Sequence, residues 1–193
     1  MTVSSGFTNT ERPRIAALYW EAFGAKLGRI MGPDRRALRL IARVADPDHA
    51  LVFRDKSGRV QGVAGFKTAE GAFVGGDLRD FVAIYGIFSG PIRAAALSLL
   101  ERDEENQRFL MDGICVAGEA RGHGVGTSLL EAIAREANAR GYQEVRLDVI
   151  DGNARARALY ERRGFKAVGR QSTGLLAPLV GFRSSTTMVR RLK

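Results

Sequence analysis

The chain has 193 residues, of which 45% are hydrophobic and 26% are charged, and its formal net charge is +9. This length suits one domain, and this composition excludes a disordered chain, because it supplies enough apolar side chains to bury a core. The single cysteine, Cys115, excludes an internal disulfide and favours a reducing compartment. One domain over residues 1–193 and a cytoplasmic location are therefore expected.

The charge balance favours a partner rich in negative charge, such as nucleic acid, an anionic membrane or a phosphate-rich cofactor. The arginines are dispersed along the chain, and the densest basic patch spans residues 155–170. The sequence has no lysine-rich tail and no interleaving of aromatic and basic residues, so nucleic acid is the weaker expectation.

Two segments bear on targeting and membranes. Residues 1–10 are polar and lack the apolar centre of a secretory signal. Residues 81–100 carry one charge, Arg93, and are long enough to span a membrane. Gly86 and the Ser-Gly-Pro run at 89–91 interrupt them, so two short soluble segments and no transmembrane segment are expected.

Hydrophobic periodicity assigns the elements of the N-terminal half. In chain order they are helices over residues 10–25 and 33–44, a hairpin of strands over 50–54 and 60–67, and helices over 78–88 and 91–102 that lead into a polar connection over 103–106. The hairpin turns at the Asp-Lys-Ser-Gly run, residues 55–58. On the first helix, Glu21 is expected to be solvated.

The pattern is clearer in the C-terminal half. In chain order the predicted elements are a strand over residues 107–116, a helix over 124–140, a strand over 145–149, a helix over 154–163, a strand over 165–170 and a last strand over 184–192. Gly141 terminates the first of these helices, and Asn153 is a natural N-cap for the second. Residues 172–181 form a loop to which the pattern assigns no shape.

A glycine-rich turn joins the strand that ends at Val116 to the helix that follows. Gly122, Gly124 and Gly126 let the backbone turn tightly and leave its N–H groups uncovered. Those N–H groups, at the positive end of a helix, attract phosphate. The first hypothesis for this protein is therefore an anion site at the turn.

Two known phosphate-binding motifs compete for this turn. The dinucleotide fingerprint needs a third glycine where Thr127 stands, and little chain follows to build its other half, although Asp148 lies at a suitable distance for a ribose contact. The P-loop needs a lysine after its last glycine, and the Val-Gly-Thr run at 125–127 supplies none. Neither motif matches the turn.

The remaining pattern is Arg-x-x-Gly-x-Gly, formed by Arg121, Gly124 and Gly126. A strand ending in Ile-Cys-Val precedes it, and the pattern N-x-x-A-x-x-L-Y-x-x-x-G-F follows it over residues 153–165. With these two blocks, the chain resembles the GCN5-related N-acetyltransferase superfamily. The resemblance is specific over residues 110–169.

The resemblance implies a mixed α/β fold, with a central, mostly antiparallel twisted sheet that is flanked by helices and has splayed central strands. It implies an N-acetyltransferase that moves the acetyl group of acetyl-CoA directly to a primary amine of a small molecule or peptide, without a metal. An acyl-CoA-binding sensor without turnover remains the alternative. The N-terminal helices and residues 73–106 would shape the acceptor side, and a homodimer stays open.

The resemblance also assigns roles to individual residues. In the family the turn binds the pyrophosphate of coenzyme A, and the strand before the turn pairs with the pantetheine arm. The cofactor contacts implied for this chain are Ile114, Cys115, Val116, Arg121, Gly122, His123, Gly124, Val125, Gly126, Thr127, Asn153, Ala156 and Tyr160. The Val116 amide would lie near the thioester carbonyl, where an N–H donor stabilises a developing oxyanion.

Two residues are candidates for the proton transfers. Tyr160 matches the tyrosine that serves the family as general acid, since a phenol can donate a proton to a departing thiolate. Asp112 is the acidic residue on the strand before the turn, and it alternates with Leu110 and Ile114, so it is a candidate base acting through water. For Cys115 a buried, inert thiol is expected, and for His123 an exposed side chain without a catalytic role.

Overall fold

The computed structural model describes residues 2–98, 108–174, 177 and 181–192. In chain order its elements are β1 (Thr2–Ser5), α1 (Arg12–Met31), α2 (Asp34–Val44), β2 (Ala50–Arg54), β3 (Val60–Thr68), β4 (Gly71–Ala72), α3 (Leu78–Ser98), β5 (Phe109–Val116), α4 (Val125–Ala139), β6 (Glu144–Ile150), α5 (Ala154–Arg162), β7 (Lys166–Ser172) and β8 (Ser184–Arg191). The two helices and the hairpin predicted before residue 68 are present, and so is each element predicted from the glycine turn onward.

The strands form one mixed sheet in the order β1-β2-β3-β5-β6-β8-β7, and β4 pairs with the end of β3. Every neighbouring pair is antiparallel except β5 and β6, which are parallel. The parallel pair is joined by a crossover through α4. The predicted mixed, mostly antiparallel sheet flanked by helices is confirmed.

The central strands β5 and β6 pair over only two residues each. Phe109 is opposite Val145 and Leu110 is opposite Arg146, yet β5 continues to Val116. On its other edge β5 stays paired with β3, and β6 stays paired with β8. The two strands therefore splay apart beyond Leu110 and leave a cleft between them, as the family resemblance implied.

A β-bulge marks the point where the splay begins. Gly65 of β3 is opposite Gly113 and Phe66 is opposite Met111, so Asp112 is an extra residue in β5. A bulge of this kind bends the strand that carries it. A side chain at Gly113 would not fit, because its Cβ would lie 2.5 Å from the ring of Phe23 on α1.

The helices cover the two faces of the sheet. A Cβ at Gly62 would meet Val125 and Leu129 at the start of α4, whereas a Cβ at Gly65 would meet Phe73, which packs with Tyr19 of α1. Because residues three apart in a strand point to opposite faces, α4 and α1 lie on opposite sides. Behind α1, a second apolar cluster joins α1 to α2 and α3.

Helix α3 is long and apolar enough to cross a membrane, judged by length and composition alone. It consists of two helical pieces that meet at Gly86, where φ is +85°. Tyr85, before the kink, is buried, whereas Phe88 and Ile92 beyond it are 84% and 71% exposed. The sequence predicted two helical segments with a break at residues 89–91, but the break lies at Gly86 and Pro91 lies inside the second piece. The predicted end of the second segment and the polar connection after it, residues 99–106, lie outside the described part of the chain.

Two other expectations need correction. Helix α1 runs to Met31 rather than to residue 25, because Leu27, Ile30 and Met31 are buried in the cluster with α2 and α3. The short strand β1 was not predicted, because its four residues do not alternate between apolar and polar side chains. It is a strand through its pairing with β2. Both features depend on contacts between segments that are distant in sequence.

An ion pair joins the start of α1 to the end of β2. Arg54 donates from Nε to Glu11 Oε1 and from Nη2 to Glu11 Oε2, each at 2.8 Å, and it also reaches the Ser4 hydroxyl and the Gly6 carbonyl. These bonds from Arg54 lower the pKa of Glu11 to about 2, while burial opposes the shift. The pair therefore holds β1, β2 and α1 together.

We expect Glu11→Gln to lower the free energy of unfolding at pH 7 by about 2 kcal/mol, because it removes the charge from a part-buried hydrogen-bonded pair. A depressed pKa stabilises the fold above the ordinary value of 4.5 and stops doing so as pH falls through about 2. The gap between the variant and the wild type should therefore shrink across that range in urea titrations. Glu119→Gln, in an exposed pair with Arg14, is the control; a gap that stays constant down to pH 2 would contradict the assignment.

Candidate active site

The turn after β5 has the backbone conformation that its glycines predict. Gly122 has φ +87° and Gly124 has φ +81°, which L side chains rarely adopt. A Cβ at either position would have no atom within 4 Å. Glycine is thus required there by backbone conformation, and the space in front of the turn is open.

Helix α4 begins directly after this turn without a side-chain cap. Its first helical bond runs from the Ser128 N–H to the Gly124 carbonyl, at 2.9 Å. The N–H groups of Val125, Gly126 and Thr127 therefore have no acceptor within the helix. Uncapped N–H groups at the positive end of a 15-residue helix can attract an anion.

Two N–H groups of the turn are bonded within it. The Arg121 N–H donates to the Gly118 carbonyl at 3.3 Å, and the His123 N–H donates to the Ala120 carbonyl at 3.4 Å. The His123 side chain is exposed, as expected. The N–H groups of Arg121 and His123 therefore already have acceptors, whereas those of Val125, Gly126 and Thr127 have none within the helix.

The Arg121 side chain connects the turn to two other elements. Its Nε donates to the Val116 carbonyl at 3.1 Å, and its Nη2 lies 2.5 Å from Glu21 Oε1 on α1. Glu21 is exposed, as expected, and it also forms an ion pair with Arg121, because α1 passes close to the end of β5. Arg121 thus fixes the turn through its side chain, a role that the motif alone does not reveal.

The open edge of β5 presents alternate backbone groups to the cleft. The Ala117 N–H donates to the Gln61 carbonyl of β3 at 2.9 Å, and Cys115 is opposite Val63. In an antiparallel ladder, residues alternate between facing the partner and facing away. The backbone groups of Ile114 and Val116 therefore face the cleft, whereas those of Cys115 face β3.

Helix α5 places Tyr160 in the apolar cluster that also contains Cys115 of β5. The Asn153 side chain caps the helix by accepting the Ala156 N–H at 3.1 Å, as predicted. Tyr160 is 8% exposed and packs on Phe165. Burial raises the pKa of its phenol to about 12, and electrostatic interaction with Cys115 adds to the shift. The hydroxyl therefore keeps its proton at neutral pH and lies within interaction range of β5.

Asp112 does not follow the alternation that the sequence predicted for it. Leu110 is opposite Lys67 and Ile114 is opposite Ala64, so the bulge sends these two side chains to opposite faces. The Asp112 carboxylate is exposed at the bulge. It interacts electrostatically with Cys115 and with Lys26 of α1.

Sequence reasoning did not single out Lys26, which lies just beyond the predicted end of the first helix. Its Nζ is 4.9 Å from the centre of the Phe182 ring. Burial lowers the pKa of its ammonium, and the negative charges of Asp112 and Asp148 oppose that shift. Lys26 is therefore a partly buried cation within electrostatic range of carboxylates on β5 and β6.

A surface hollow of about 460 Å³ lies elsewhere, over β7 and β8. Asp151 at its edge accepts bonds from the Ser184 and Thr186 hydroxyls and from Arg170. None of the turn residues lines it, so the hollow does not coincide with the cleft. Within the described ranges, no group of three or more His, Cys, Asp or Glu side chains could hold a metal ion.

Comparison with known proteins agrees with this geometry. A family model described as the acetyltransferase (GNAT) family matches residues 12–165. An N-acetyltransferase structure from Staphylococcus aureus Mu50 has a TM-score of 0.68 at 16% identity, covering 98% of this chain and 100% of that one. A ribosomal-protein-alanine N-acetyltransferase from Brucella melitensis has a TM-score of 0.61 at 19% identity, and both chains are fully covered. A GCN5-related N-acetyltransferase from Kribbella flavida has a TM-score of 0.63 at 19% identity, covering 99% of this chain and 97% of that one. These structures share the fold.

We expect the Cys115 thiol to be unreactive in the folded protein. It is 2% exposed, and burial raises its pKa well above the ordinary value, with smaller effects of Asp112 and Glu21 in the same direction. Since the thiolate is the reactive form, a disulfide reagent should react at least about a hundredfold faster after unfolding in guanidinium chloride. The chain has one cysteine, so the unfolded protein gives one equivalent as the control; equal rates would show that the thiol is accessible.

Proposed function

The chain belongs to the acetyltransferase (GNAT) family, and we propose that it is an N-acetyltransferase that transfers the acetyl group of acetyl-CoA directly to a primary amine of a small molecule or peptide. The observation that carries this proposal is the splay of β5 and β6 beyond Leu110. The proposal is supported by the uncapped N–H groups at the start of α4, just after β5, and by the Tyr160 phenol, which keeps its proton and interacts with Cys115 of β5.

The residues of the turn fit the pyrophosphate of coenzyme A. The N–H groups of Val125, Gly126 and Thr127 supply donors and the positive helix end, and the open space before Gly122 and Gly124 lets a phosphate approach the backbone. On this proposal the two phosphates bind mainly through backbone groups. The Arg121 guanidinium, held by Glu21, serves chiefly to fix the turn.

The open edge of β5 fits the amide groups of the pantetheine arm. The groups of Ile114 and Val116 that face the cleft can form the ladder bonds that β6 no longer forms. The Val116 N–H is also the donor that we propose for the thioester carbonyl oxygen, where negative charge develops during transfer.

Acetyl-CoA supplies an activated acyl group, so the protein has to arrange proton movements around the transfer. The attacking amine must lose a proton, because an ammonium has no lone pair, and Asp112 at the exposed bulge is the proposed acceptor of that proton through water. The Tyr160 hydroxyl donates toward the sulfur as the bond from carbon to sulfur breaks. The products are the N-acetylated amine and the free thiol.

We expect Gly124→Glu to weaken acetyl-CoA binding by more than about tenfold, because it places a side chain and a negative charge where phosphate would bind. Gly58→Glu is the matched control. Gly58 also has φ +81° and open space at its Cβ, but it lies in the hairpin turn. Both variants should lose similar stability, and calorimetry with acetyl-CoA should separate them; equal affinities would contradict an anion site at the turn.

For Tyr160→Phe we expect kcat to fall about a hundredfold while the Kd for acetyl-CoA stays the same, since only the proton donor is removed. Tyr142→Phe, which alters a ring packed on Phe109, is the control and should leave kcat unchanged. The measurement is thiol release from acetyl-CoA with a panel of amines. An unchanged kcat in Tyr160→Phe would remove the proposed acid, and failure of the wild type to release thiol with any amine of the panel would favour a binding protein over an enzyme.

A further inference from the structure

The second piece of α3, residues 87–98, carries an apolar patch that the described part of the chain leaves uncovered. Phe88 and Ile92 lie one helical turn apart and are 84% and 71% exposed, and Ile87 beside them is 69% exposed. These three side chains are called the apolar patch below. From residue 81 to residue 98 the only charged side chain is that of Arg93. Large apolar side chains that cluster on a surface in this way mark a contact with an apolar partner.

This piece folds back against the first piece of α3 instead of continuing it. A Cβ at Gly90 would lie 2.8 Å from the backbone nitrogen of Val82 and 2.9 Å from the carbonyl carbon of Phe81, so the two pieces touch there. Neither piece alone has the length of about 20 residues that a bilayer span requires. The second piece can therefore lie along a membrane surface, but the two pieces do not form one straight span.

The inner side of the second piece is fixed to the end of α1. The Arg93 guanidinium donates to the Ile30 carbonyl and lies over the ring of Tyr85, 4.6 Å from its centre. The Tyr85 hydroxyl donates to the Met31 carbonyl, and Leu97 packs on the cluster that joins the three helices. Because these contacts hold the inner side, the apolar patch stays on the outer side.

Exposed arginines of α2 lie at the same junction. At the end of α2, Arg43 donates from Nε to Asp80 Oδ1 near the start of α3, at 2.6 Å. The start of α2 closely follows Met31, whose carbonyl accepts the Tyr85 hydroxyl just before the kink. The two helices therefore run antiparallel, and the first turn of α2 lies at the kinked end of α3. The exposed side of α2 at this end is basic, and Asp34 offsets only one of the charges of Arg35, Arg36 and Arg39.

We infer that this surface docks on an anionic lipid bilayer, with the apolar patch among the lipid chains and the arginines of α2 at the lipid phosphates. Apolar side chains beside arginines are what a bilayer of this charge attracts, and the net charge of +9 favours the approach. A second copy of the chain is a poorer occupant, because a twofold contact through the patch would bring the same arginines of both copies together. The inference concerns where the protein binds and does not depend on the proposed function.

The first experiment measures sedimentation of the full chain with vesicles of phosphatidylcholine and phosphatidylglycerol, mixed three parts to one, and with vesicles of phosphatidylcholine alone. The wild type should bind the anionic vesicles at least about tenfold more tightly than the neutral ones. The double variant Phe88→Ser/Ile92→Ser should bind the anionic vesicles at least about tenfold more weakly than the wild type. Val168→Ser, which alters an exposed apolar side chain on β7, is the control and should bind as the wild type does. No binding by the wild type, or equal binding by the double variant, overturns the inference.

The second experiment separates this surface from the overall charge and from self-association. Arg35→Gln/Arg36→Gln should weaken binding to the anionic vesicles about tenfold, whereas Lys56→Gln/Lys166→Gln, which removes the same charge from exposed positions elsewhere, should weaken it much less. Equal losses would mean that only the net charge attracts the protein, and they would overturn the inference. Light scattering without vesicles should show a monomer. A dimer that Phe88→Ser/Ile92→Ser dissociates would identify a second copy as the occupant of the patch and would also overturn the inference.

Discussion

The site depends on one constraint, which is that β5 is paired on a single edge beyond Leu110. A strand in the middle of a sheet normally satisfies its polar groups on both edges, so an open inner edge has to be completed by water or by a ligand. The bulge at Asp112 bends the strand where the opening begins, and the ring of Phe23 fills the space that Gly113 leaves. The turn and α4 then start where the open edge ends.

Several arginine side chains form ion pairs that join separate helices, strands and turns. Arg54 links α1 to β2, Arg121 links the glycine turn to α1, and Arg190 binds Glu131 with two bonds of 3.0 Å, linking β8 to α4. At the proposed anion site, by contrast, the positive charge would come from backbone N–H groups at a helix end. The surplus of basic residues therefore does not indicate which groups would bind a phosphate, whereas the glycine motif of the turn does.

Local rules were enough to predict the turn, and they failed where distant segments meet. The positive φ of Gly124 and the cap formed by Asn153 follow from residues within a few positions, and both are present. The extension of α1 to Met31 depends on burial against α2 and α3, so Lys26 fell outside the predicted helix. The bulge at Asp112 depends on the register between β5 and β3, which a pattern of alternation cannot show. The turn could thus be predicted from sequence, whereas the end of α1 and the bulge of β5 could not.

The raised pKa of Tyr160 has to be compared with the pKa of the thiol whose thiolate it would protonate. A phenol with a pKa of about 12 would not give its proton to an ordinary thiolate, whose conjugate acid has a pKa of about 8.5. Cys115 shows what the same surroundings do to a thiol, because burial also raises its pKa well above the ordinary value. On the proposed function, a thiolate leaving beside Tyr160 would be desolvated in the same way and would become more basic. The two pKa values then approach each other, and transfer of the proton from Tyr160 as the thiolate forms is no longer opposed by a large difference.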